Sequence, residues 1–206
     1  RDNIVIVRTS GQIFYFLKKM INISPVISRI KTNLSSMIFD ENFFDIFQNT
    51  KYGSYVGIKD VLIHDEEIYL SYVKKIKNEC FNIAILRAKF NLSFLKFSDF
   101  FSHDECVIAN SKESDYGDGK NIFISGGRMI AYKNGDQILL TTGEMMNRPL
   151  AQKDESLFGK IIKINIKSGL YSIFAKGFRN PQGLYYLKES DKIIETEHGP
   201  LGGDEI

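Results

Sequence analysis

The chain consists largely of short runs of β-branched and aromatic residues that brief polar turns separate. Such runs are typical of β-strands joined as hairpins. No clear helical pattern lies between them, apart from an ambiguous stretch at residues 27–47. The pattern therefore predicts an all-β protein with five hairpins, whose strands lie at residues 4–8 and 13–16, 57–62 and 68–73, 128–132 and 137–142, 160–166 and 171–174, and 183–187 and 192–197.

The dipeptide Asn134-Gly135 is the most specific local signal among the turns. It lies inside the third hairpin, and both residues tolerate the positive φ that a two-residue hairpin turn requires. The sequence therefore predicts a tight two-residue turn at this point.

Three of the hairpins share a layout in which a glycine leads into the first strand and the second strand ends in a loop of small or polar residues. They begin at Gly57, Gly127 and Gly183, and the spacings of 70 and 56 residues follow from these numbers. Such spacings are close to the size of a four-stranded blade with its loops, which favours a β-propeller. A β-sandwich and an up-and-down barrel remain compatible with the pattern.

Composition and charge narrow the class of protein without identifying a ligand. Of the 206 residues 43% are apolar, which is enough for a substantial core. The 27 basic residues nearly balance the 25 acidic ones, so the charge gives no reason to expect nucleic acid or anionic lipid as a partner. No apolar run approaches the roughly 20 residues that a membrane span needs.

Two cysteines, Cys80 and Cys106, are too few for a disulfide framework. We expect ordinary free thiols, with a single bridge between neighbouring strands as the alternative. The chain starts at Arg1 without a methionine and stops at Ile206 inside a patterned segment, so we expect both ends to be cut. A signal peptide is not visible in the sequence and could have been lost with the first residues.

Residues 177–183 place one charged side chain and two amides at a turn before an apolar strand. Arg179 offers a rigid fork of donors, and Asn180 offers both a donor and an acceptor. The pair therefore suits a carbonyl-rich or carboxylate ligand. The alternative is a structural turn in which Arg179 binds buried main-chain carbonyls.

A second polar segment, His-Gly-Pro-Leu-Gly-Gly-Asp-Glu-Ile at residues 198–206, follows at the far end of the same hairpin. Glycine-rich loops expose carbonyl oxygens, which together with carboxylates are the ligands of hard cations such as Ca²⁺. The alternative is a tight connection in which Asp204 and Glu205 cap main-chain amides. Because one hairpin separates them, Arg179 and His198 are expected at the same end of it and could share a site.

A third segment leads from Gly126 and Gly127 to Glu144 through the hairpin of residues 128–142. This hairpin should return Glu144 to the side of the two glycines, where its carboxylate could orient a base or bind a cation. A lone carboxylate at the end of a strand is more often solvated, which is the alternative.

Together these segments resemble the soluble aldose sugar dehydrogenases that depend on pyrroloquinoline quinone (PQQ). Those enzymes form the glucose/sorbosone dehydrogenase family. Residues 178–183, 197–200 and 202–206 look like the signature hairpin of that family. The preceding blade of the family is similar, in the same order, to residues 126–128, 142–144, 148–149, 151–152 and 159–161. An earlier blade more faintly resembles residues 56–58 and 68–72. The resemblance implies a six-bladed propeller, of which residues 1–206 are a single incomplete domain covering roughly the first half of the blades.

The resemblance also implies a chemistry. In the family, a sugar is oxidised at its anomeric carbon by hydride transfer to PQQ, while a histidine takes the hydroxyl proton. Arg179 and Asn180 match the residues that hydrogen-bond the quinone, and His198 matches a position that lines the cofactor. The two candidate catalytic residues are therefore Arg179 and Glu144. The main-chain oxygens that bind Ca²⁺ in the family match those of two further residues, Gly199 and Pro200.

The chain departs from the family at the proton acceptor. The base histidine of the family stands two residues before the Gly-Gly-Arg motif, where this chain has Ile124, which cannot accept a proton. Neither His64 nor His103 has the matching context, and a position that is glutamine in the family aligns loosely with Tyr52. Since a general base is worth about two to four orders of magnitude in rate, cofactor binding is expected to survive better than turnover.

The predicted function is therefore a quinoprotein sugar dehydrogenase that acts on an aldose, with PQQ and Ca²⁺ as cofactors and a separate electron acceptor. Its rival is a non-catalytic propeller that binds carbohydrate or protein and has lost the base at Ile124. The resemblance further implies a periplasmic or secreted protein whose remaining blades follow Ile206. An incomplete propeller exposes strand edges, so we expect function only in the complete protein.

Overall fold

The structure is a computed structural model that describes residues 2–38, 57–77, 80–109, 121–200 and 203–206. The described strands, in chain order, are β1 (Asn3–Val7), β2 (Ile13–Leu17), β3 (Ser28–Thr32), β4 (Ile58–His64), β5 (Glu67–Lys77), β6 (Cys80–Lys89), β7 (Phe94–Leu95), β8 (Ser98–Phe101), β9 (Val107–Ile108), β10 (Gly126–Tyr132), β11 (Gln137–Thr142), β12 (Lys160–Asn165), β13 (Tyr171–Lys176), β14 (Pro181–Leu187) and β15 (Lys192–Glu197). A short helix, α1, spans Arg148–Gln152, and 3-10 turns occur at Lys18–Met20, Leu34–Ser36, Asn121–Phe123, Lys133–Gly135 and Lys188–Ser190. Within the described ranges no helix has the length and apolar character needed to cross a membrane.

These strands form four sheets that follow one another along the chain. Sheet 1 has the order β1-β2-β3-β7, sheet 2 the order β4-β5-β6-β8 with β9 also paired to β6, sheet 3 the order β10-β11-β12-β13, and sheet 4 consists of β14 and β15. Neighbouring strands are antiparallel except for β3 and β7, which run parallel. The chain therefore completes sheet 1 with β7 before β8 returns to sheet 2.

Sheet 2 is buried on both of its faces. Alternate residues of β5 and β6 face sheet 1, where the core includes Ile13, Ile30, Ile68, Leu70, Tyr72, Ala84 and Leu86. The intervening residues face sheet 3, where the core includes Tyr69, Val73, Phe81, Ile83, Ile85, Ile138, Leu140 and Ile162. A smaller apolar cluster joins sheet 3 to sheet 4 through Tyr132, Leu139, Ile161, Leu184, Tyr186 and Ile193. Sheets stacked face to face in chain order are blades of a β-propeller, which excludes a two-sheet sandwich and a single barrel.

The five predicted hairpins are all present, and Gly57, Gly127 and Gly183 stand at the first strands of sheets 2, 3 and 4. The all-β, partial-propeller prediction is confirmed. Strand β3 and strands β6 to β9 were not predicted. Residues 28–38 of the ambiguous stretch form β3 and a 3-10 turn, and the rest of that stretch lies outside the described residues.

The turn at Asn134-Gly135 differs from the prediction. Tyr132 pairs with Gln137, so four residues form the loop instead of two. Lys133, Asn134 and Gly135 all have positive φ, at 45°, 51° and 87°. The dipeptide supplies the left-handed backbone as expected, and pairing ends at the predicted strand ends, but Lys133 and Asp136 also belong to the turn.

The two cysteines form a disulfide, so the expectation of free thiols was wrong. Cys80 begins β6, and Cys106 directly precedes β9. Strand β9 pairs with the start of β6, where Cys80 lies opposite Ile108, and this pairing brings the two Cα atoms to 5.4 Å. The alternative, a single bridge between neighbouring strands, is correct. It was not favoured because the short strand β9 had no signal of its own in the sequence.

One arginine connects sheets 2, 3 and 4. Arg128 on β10 donates from Nη1 to Oδ1 of Asp60 on β4 at 2.9 Å, and from Nε to the carbonyl oxygen of Gln182 on β14 at 3.0 Å. The second oxygen of Asp60 accepts a hydrogen bond from the main-chain N–H of Met129 at 2.8 Å. Burial raises the pKa of Asp60, although Met129 and Arg128 both act to lower it. The first strands of the three sheets are thus joined by polar contacts at one end.

Removing the disulfide should destabilise the protein. The bridge closes a loop with a sequence separation of 26 residues, and loop-closure entropy assigns about 3 kcal/mol to a loop of this size. We expect the double variant C80A/C106A to lose roughly that much free energy of unfolding in a urea titration. The wild type in reducing agent should match the variant, and equal stabilities with and without reductant would contradict the bridge.

Arg128→Met should destabilise the fold by about 1–3 kcal/mol at pH 7, because it leaves the charged Asp60 buried beside Met129 without its counter-ion. Because the pKa of the buried Asp60 carboxyl is raised, the free energy of unfolding falls as the pH rises through the ordinary carboxyl range. Removal of Arg128 makes this fall larger, since Arg128 acts to lower that pKa. The loss should therefore shrink at pH 4, where Asp60 takes up a proton. Urea titrations at both pH values measure it, and a loss that does not change with pH would contradict the role of Asp60.

Candidate functional site

Each first strand of sheets 2, 3 and 4 carries a β-bulge near its beginning. In β4, Lys59 is the extra residue, since Ile58 pairs with Tyr72 while Asp60 pairs with Ser71. In β14, Gln182 is the extra residue in the same way. The register of β10 also shifts, between Gly126 and Met129. Because bulges redirect side chains out of the regular pleat, these strands send polar groups to one end of the stacked sheets.

A cleft of about 430 Å³ lies at that end. Its lining is contributed by the bulges of β4 and β14, the segment before β10, and both ends of the β14–β15 hairpin. The lining residues are Lys59, Phe123, Ile124, Arg179, Asn180, Gln182, His198, Gly199 and Asp204. The structure therefore brings together Arg179, Asn180, His198 and Gly199, which the sequence had predicted to share a site.

Arg179 is held by main-chain carbonyls. Its Nη1 donates to the carbonyl oxygen of His198 at 2.9 Å and to that of Gly199 at 3.2 Å. This is the structural-turn alternative for Arg179, and it coexists with a place in the lining of the cleft. The contacts join the two ends of the hairpin and fix the direction of the guanidinium.

Glu144 lies behind Arg179 and does not line the cleft. The Glu144 side chain is 4% exposed, and its Oε1 is 3.8 Å from Nε of Arg179. The Glu144 main-chain N–H also donates to the carbonyl oxygen of Arg179 at 2.9 Å. The alternative of a solvated carboxylate is therefore wrong, and the arrangement suits a residue that orients Arg179.

Asn180 joins the hairpin to sheet 3. Its Oδ1 accepts hydrogen bonds from the N–H of Gly126 and from Nε2 of Gln182, both at 3.2 Å. The main-chain N–H groups of Arg179 and Asn180 donate to Oε2 of Glu197 at 2.6 and 3.2 Å. Since Oδ1 accepts two hydrogen bonds, the amide nitrogen is the side-chain group of Asn180 suited to donate to a ligand in the cleft.

His198 and Asp204 form the exposed rim of the cleft, with side chains 65% and 69% exposed. Oδ1 of Asp204 accepts a hydrogen bond from the N–H of Gly199 at 3.1 Å, which is the capping arrangement considered for the loop. The two carbonyls predicted to bind Ca²⁺ are both engaged. That of Gly199 accepts from Arg179, and that of Pro200 accepts from the N–H of Gly203 at 3.1 Å.

The position expected to hold the base places an apolar side chain in the cleft. Ile124 is 5% exposed and lines it. His64 lies instead at the Asn134-Gly135 turn, with Nε2 3.0 Å from the carbonyl oxygen of Gly135. Burial among aromatic rings lowers the pKa of His103 to about 4, and His103 does not line the cleft. The Tyr52 prediction lies outside the described residues.

Lys59 was missed in the sequence, and Gln182 was noted only as one of the two amides of residues 177–183. The glycine-led hairpin layout could not have paired them, because Lys59 follows Gly57 by two residues whereas Gln182 precedes Gly183. They correspond only in the structure, where each is the extra residue of its bulge. Burial lowers the pKa of Lys59 to about 8.

Comparison with known proteins identifies relatives over most of the chain. Residues 41–206 match the family model for Glucose / Sorbosone dehydrogenase. The curated aldose sugar dehydrogenase YliI of Escherichia coli (strain K12) is 32% identical over 94 residues, which cover 39% of this chain and 25% of that protein.

Solved structures share the fold. A glucose dehydrogenase superposes with a TM-score of 0.69 at 20% identity, covering 98% of this chain and 55% of that one. The apo-form of the soluble aldose sugar dehydrogenase from Escherichia coli superposes with a TM-score of 0.55 at 26% identity, covering 73% of this chain and 46% of that one. The PQQ-bound aldose sugar dehydrogenase from Streptomyces coelicolor superposes with a TM-score of 0.61 at 14% identity, covering 96% of this chain and 53% of that one. The chain thus spans about half the length of these structures and a quarter of the curated relative.

Asn180→Ala should destabilise the protein by about 1–3 kcal/mol, since it leaves the buried N–H of Gly126 without its acceptor. Gln182→Ala is the matched control, because it removes the other donor to Oδ1 from an exposed residue and should change the free energy of unfolding by less than about 0.5 kcal/mol. Urea titration of both variants measures the difference. Equal stabilities would show that Asn180 does not join the hairpin to sheet 3.

Proposed function

The chain belongs to the glucose/sorbosone dehydrogenase family, and we propose that the complete protein oxidises an aldose at the anomeric carbon with PQQ as the hydride acceptor. The observation that carries the proposal is the gathering of Arg179, Asn180 and His198 around one cleft. A pure scaffold would have little need of this set of polar side chains around one open cavity. Sugar oxidation also requires a secondary electron acceptor, which we include in the proposal.

The described residues fit PQQ. The cofactor is a planar quinone that carries several carboxylates, and a cleft of about 430 Å³ is within the range of small-molecule sites. Arg179 and Lys59 supply cationic groups, and Asn180 and Gln182 supply amides. Such donors complement carbonyl and carboxylate oxygens. When bound, PQQ would supply the electrophilic carbon that takes a hydride from the sugar.

Within this proposal, Arg179 and Asn180 would hold PQQ by donating hydrogen bonds to its quinone oxygens. Because the guanidinium and the amide are fixed before the ligand arrives, little reorganisation is needed when negative charge develops on those oxygens. Glu144 has a positioning role, since it stands behind the guanidinium at 3.8 Å. His198, on the rim, would contact the edge of the cofactor.

Calcium is the less well supported cofactor. The carbonyls of Gly199 and Pro200 already accept hydrogen bonds, and the guanidinium of Arg179 lies against the first of them. Among the described residues, no cluster of three or more histidine, cysteine or acidic side chains could hold a metal ion. Since the donor set in this conformation does not fit Ca²⁺, we derive no step through the ion.

We also propose a periplasmic or secreted location. The Cys80–Cys106 bridge supports it, because disulfides persist mainly in oxidising compartments. The rival function, a binding propeller without catalysis, rests on Ile124, and no contact among the described residues favours it further.

Arg179→Met in the full-length protein should weaken PQQ binding at least tenfold, because it removes the fixed cation of the cleft. An absorbance titration of the quinone measures affinity, and dye reduction with added aldoses measures turnover. Arg29→Met is the matched control, since Arg29 is exposed on sheet 1, and it should change neither reading.

Absence of PQQ binding by the wild type would overturn the proposal. Binding without dye reduction, with turnover restored by Ile124→His, would instead identify the non-catalytic rival that has lost the base at Ile124.

A further inference from the structure

The connection between β2 and β3 lies at the end of the sheets opposite the cleft. The N–H of Ile58, which begins β4 beside the cleft, donates to the carbonyl oxygen of Thr9 at 3.0 Å. The turn between β1 and β2 is therefore at the cleft end, and β2 runs away from it. Residues 18–27, which connect β2 to β3, emerge at the opposite end, and we call this segment the far-end loop.

The far-end loop exposes a cluster of aliphatic side chains. Val26 is 82% exposed, Ile23 63%, Ile21 58% and Ile27 55%, and Leu17 at the end of β2 adds a fifth at 44%. Among the described residues, none of the five belongs to an apolar cluster. Single exposed apolar residues are ordinary, but several of them together mark an interaction surface.

The backbone of the far-end loop is held by hydrogen bonds although its side chains are not covered. The N–H of Ile21 donates to the carbonyl oxygen of Lys18 at 3.2 Å, and the N–H of Ile23 donates to that of Met20 at 3.0 Å. The N–H of Lys18 donates to the carbonyl oxygen of Asp2 at 2.7 Å, which ties the loop to the start of β1. A surface formed in advance loses less conformational freedom when it binds a partner.

The charge along this part of the chain is positive. Residues 3–38 contain five cations and no acidic residue, and Asp2 is the one acidic residue before them. Since the whole chain has 27 cations and 25 acidic residues, the remainder has 22 cations against 25 acidic residues. Lys18 and Lys19 are exposed at the start of the far-end loop, and Arg29 is exposed just after it. The near balance of the whole chain thus conceals a local positive excess beside the exposed aliphatic cluster.

The far-end loop lies away from the internal gaps in the described ranges. Those gaps fall between β3 and β4, between β5 and β6, between β9 and β10, and after β15. All four places are at the cleft end, because β4 begins there and the strand pairing alternates in direction from it. The exposure of the far-end loop therefore rests on described residues.

We propose that the far-end loop docks the protein reversibly on an anionic lipid surface. Its aliphatic side chains enter the interfacial region of the bilayer, where burial of apolar groups stabilises binding. The ammonium groups of Lys18 and Lys19 contact the lipid phosphates, while their stems stay in apolar surroundings. Because the cleft lies at the opposite end of the sheets, it stays open to the aqueous phase in the docked protein. The inference does not depend on the proposed sugar oxidation.

A lipid surface suits the far-end loop better than a protein partner does. The residues that dominate protein interfaces are tryptophan, tyrosine and arginine, and residues 18–27 contain none of them. Aliphatic side chains next to lysines are instead the combination that binds the boundary between headgroups and acyl chains. Because the loop carries only two lysines, the association is weak and reversible. The other occupants of such a surface are a protein partner or a further segment of the full-length chain.

Vesicle sedimentation with the full-length protein tests the proposal. Vesicles made of equal parts of phosphatidylglycerol and phosphatidylcholine should sediment the protein at low salt. Vesicles of phosphatidylcholine alone should bind it at least about tenfold more weakly, because the attraction of the lysines is lost. Binding to the anionic vesicles should also weaken as the salt concentration rises, since salt screens exposed charges.

A matched pair of charge variants separates the loop from the net charge of the protein. K18E/K19E should lower the partition coefficient on anionic vesicles by at least about 25-fold, because each lysine near such a surface contributes about fivefold. K188E/K192E makes the same change of charge at the same end of sheet 4, away from the loop. It should change the partition coefficient by less than about threefold at physiological salt.

A tryptophan reporter tests whether the aliphatic side chains enter the bilayer. Residues 1–206 contain no tryptophan, so Val26→Trp adds a fluorophore whose signal is read as the difference from the wild type. Its emission should shift to the blue on addition of anionic vesicles and should be quenched by brominated lipid. Phe94→Trp is the matched control, because Phe94 is an exposed apolar residue on β7 of the same sheet. It should show neither change.

Three results would overturn the inference. The first is failure of the full-length wild type to bind anionic vesicles. The second is an equal loss of binding in K18E/K19E and K188E/K192E, which would reduce the effect to overall charge. The third is a Val26→Trp emission that is already shifted to the blue without vesicles, because a protein surface then covers the loop. None of these results depends on PQQ, so the proposed function is tested separately.

Discussion

The contact between Asp60, Arg128 and the carbonyl of Gln182 is the constraint on which the rest of the structure depends. It joins the first strands of three successive sheets at the end where their bulges lie. Apolar packing alone would let stacked sheets slide, since the hydrophobic effect is non-directional. Hydrogen bonds from one planar guanidinium fix the separation and register of the three strands. The cleft has a defined shape because these three strands are fixed.

The two-faced burial of sheets 2 and 3 explains why the polar residues gather at strand ends. A residue in the middle of β5 or β11 faces apolar side chains on either side, so a polar group there must find a partner within the sheet stack. Thr141, for example, donates from Oγ1 to the carbonyl oxygen of Pro181 at 3.0 Å. Only at the ends, where bulges open the ladder, can polar side chains face a ligand instead of each other.

The fold could be predicted further than the site. Hairpin spacing and the glycines at 57, 127 and 183 were local signals, and they sufficed for an all-β partial propeller. Strand β6 was missed because it is buried on both faces, so its apolar residues do not alternate with polar ones. Strand β9 was missed because two residues are too few to show a period. Arg179 and Asn180 were recognisable as a polar pair at a turn. Lys59 was not, since its importance depends on a bulge and on the closeness of Gly127 in another sheet.

Two lysines show how the same side chain is used in different ways by this fold. Lys160 is fully buried, and its Nζ donates to the carbonyl oxygens of Leu150, Ala151 and Phe158 at 2.8–2.9 Å. Three acceptors hold its charge and make it a structural cap for the end of α1. Lys59 lines a cavity, and desolvation is the cause that moves its pKa.

The first strands of sheets 2 and 4 each deliver one bulged residue to the cleft, Lys59 and Gln182. Because a bulge adds a residue without ending the strand pairing, successive blades can supply polar side chains to one cavity while their sheets stay intact.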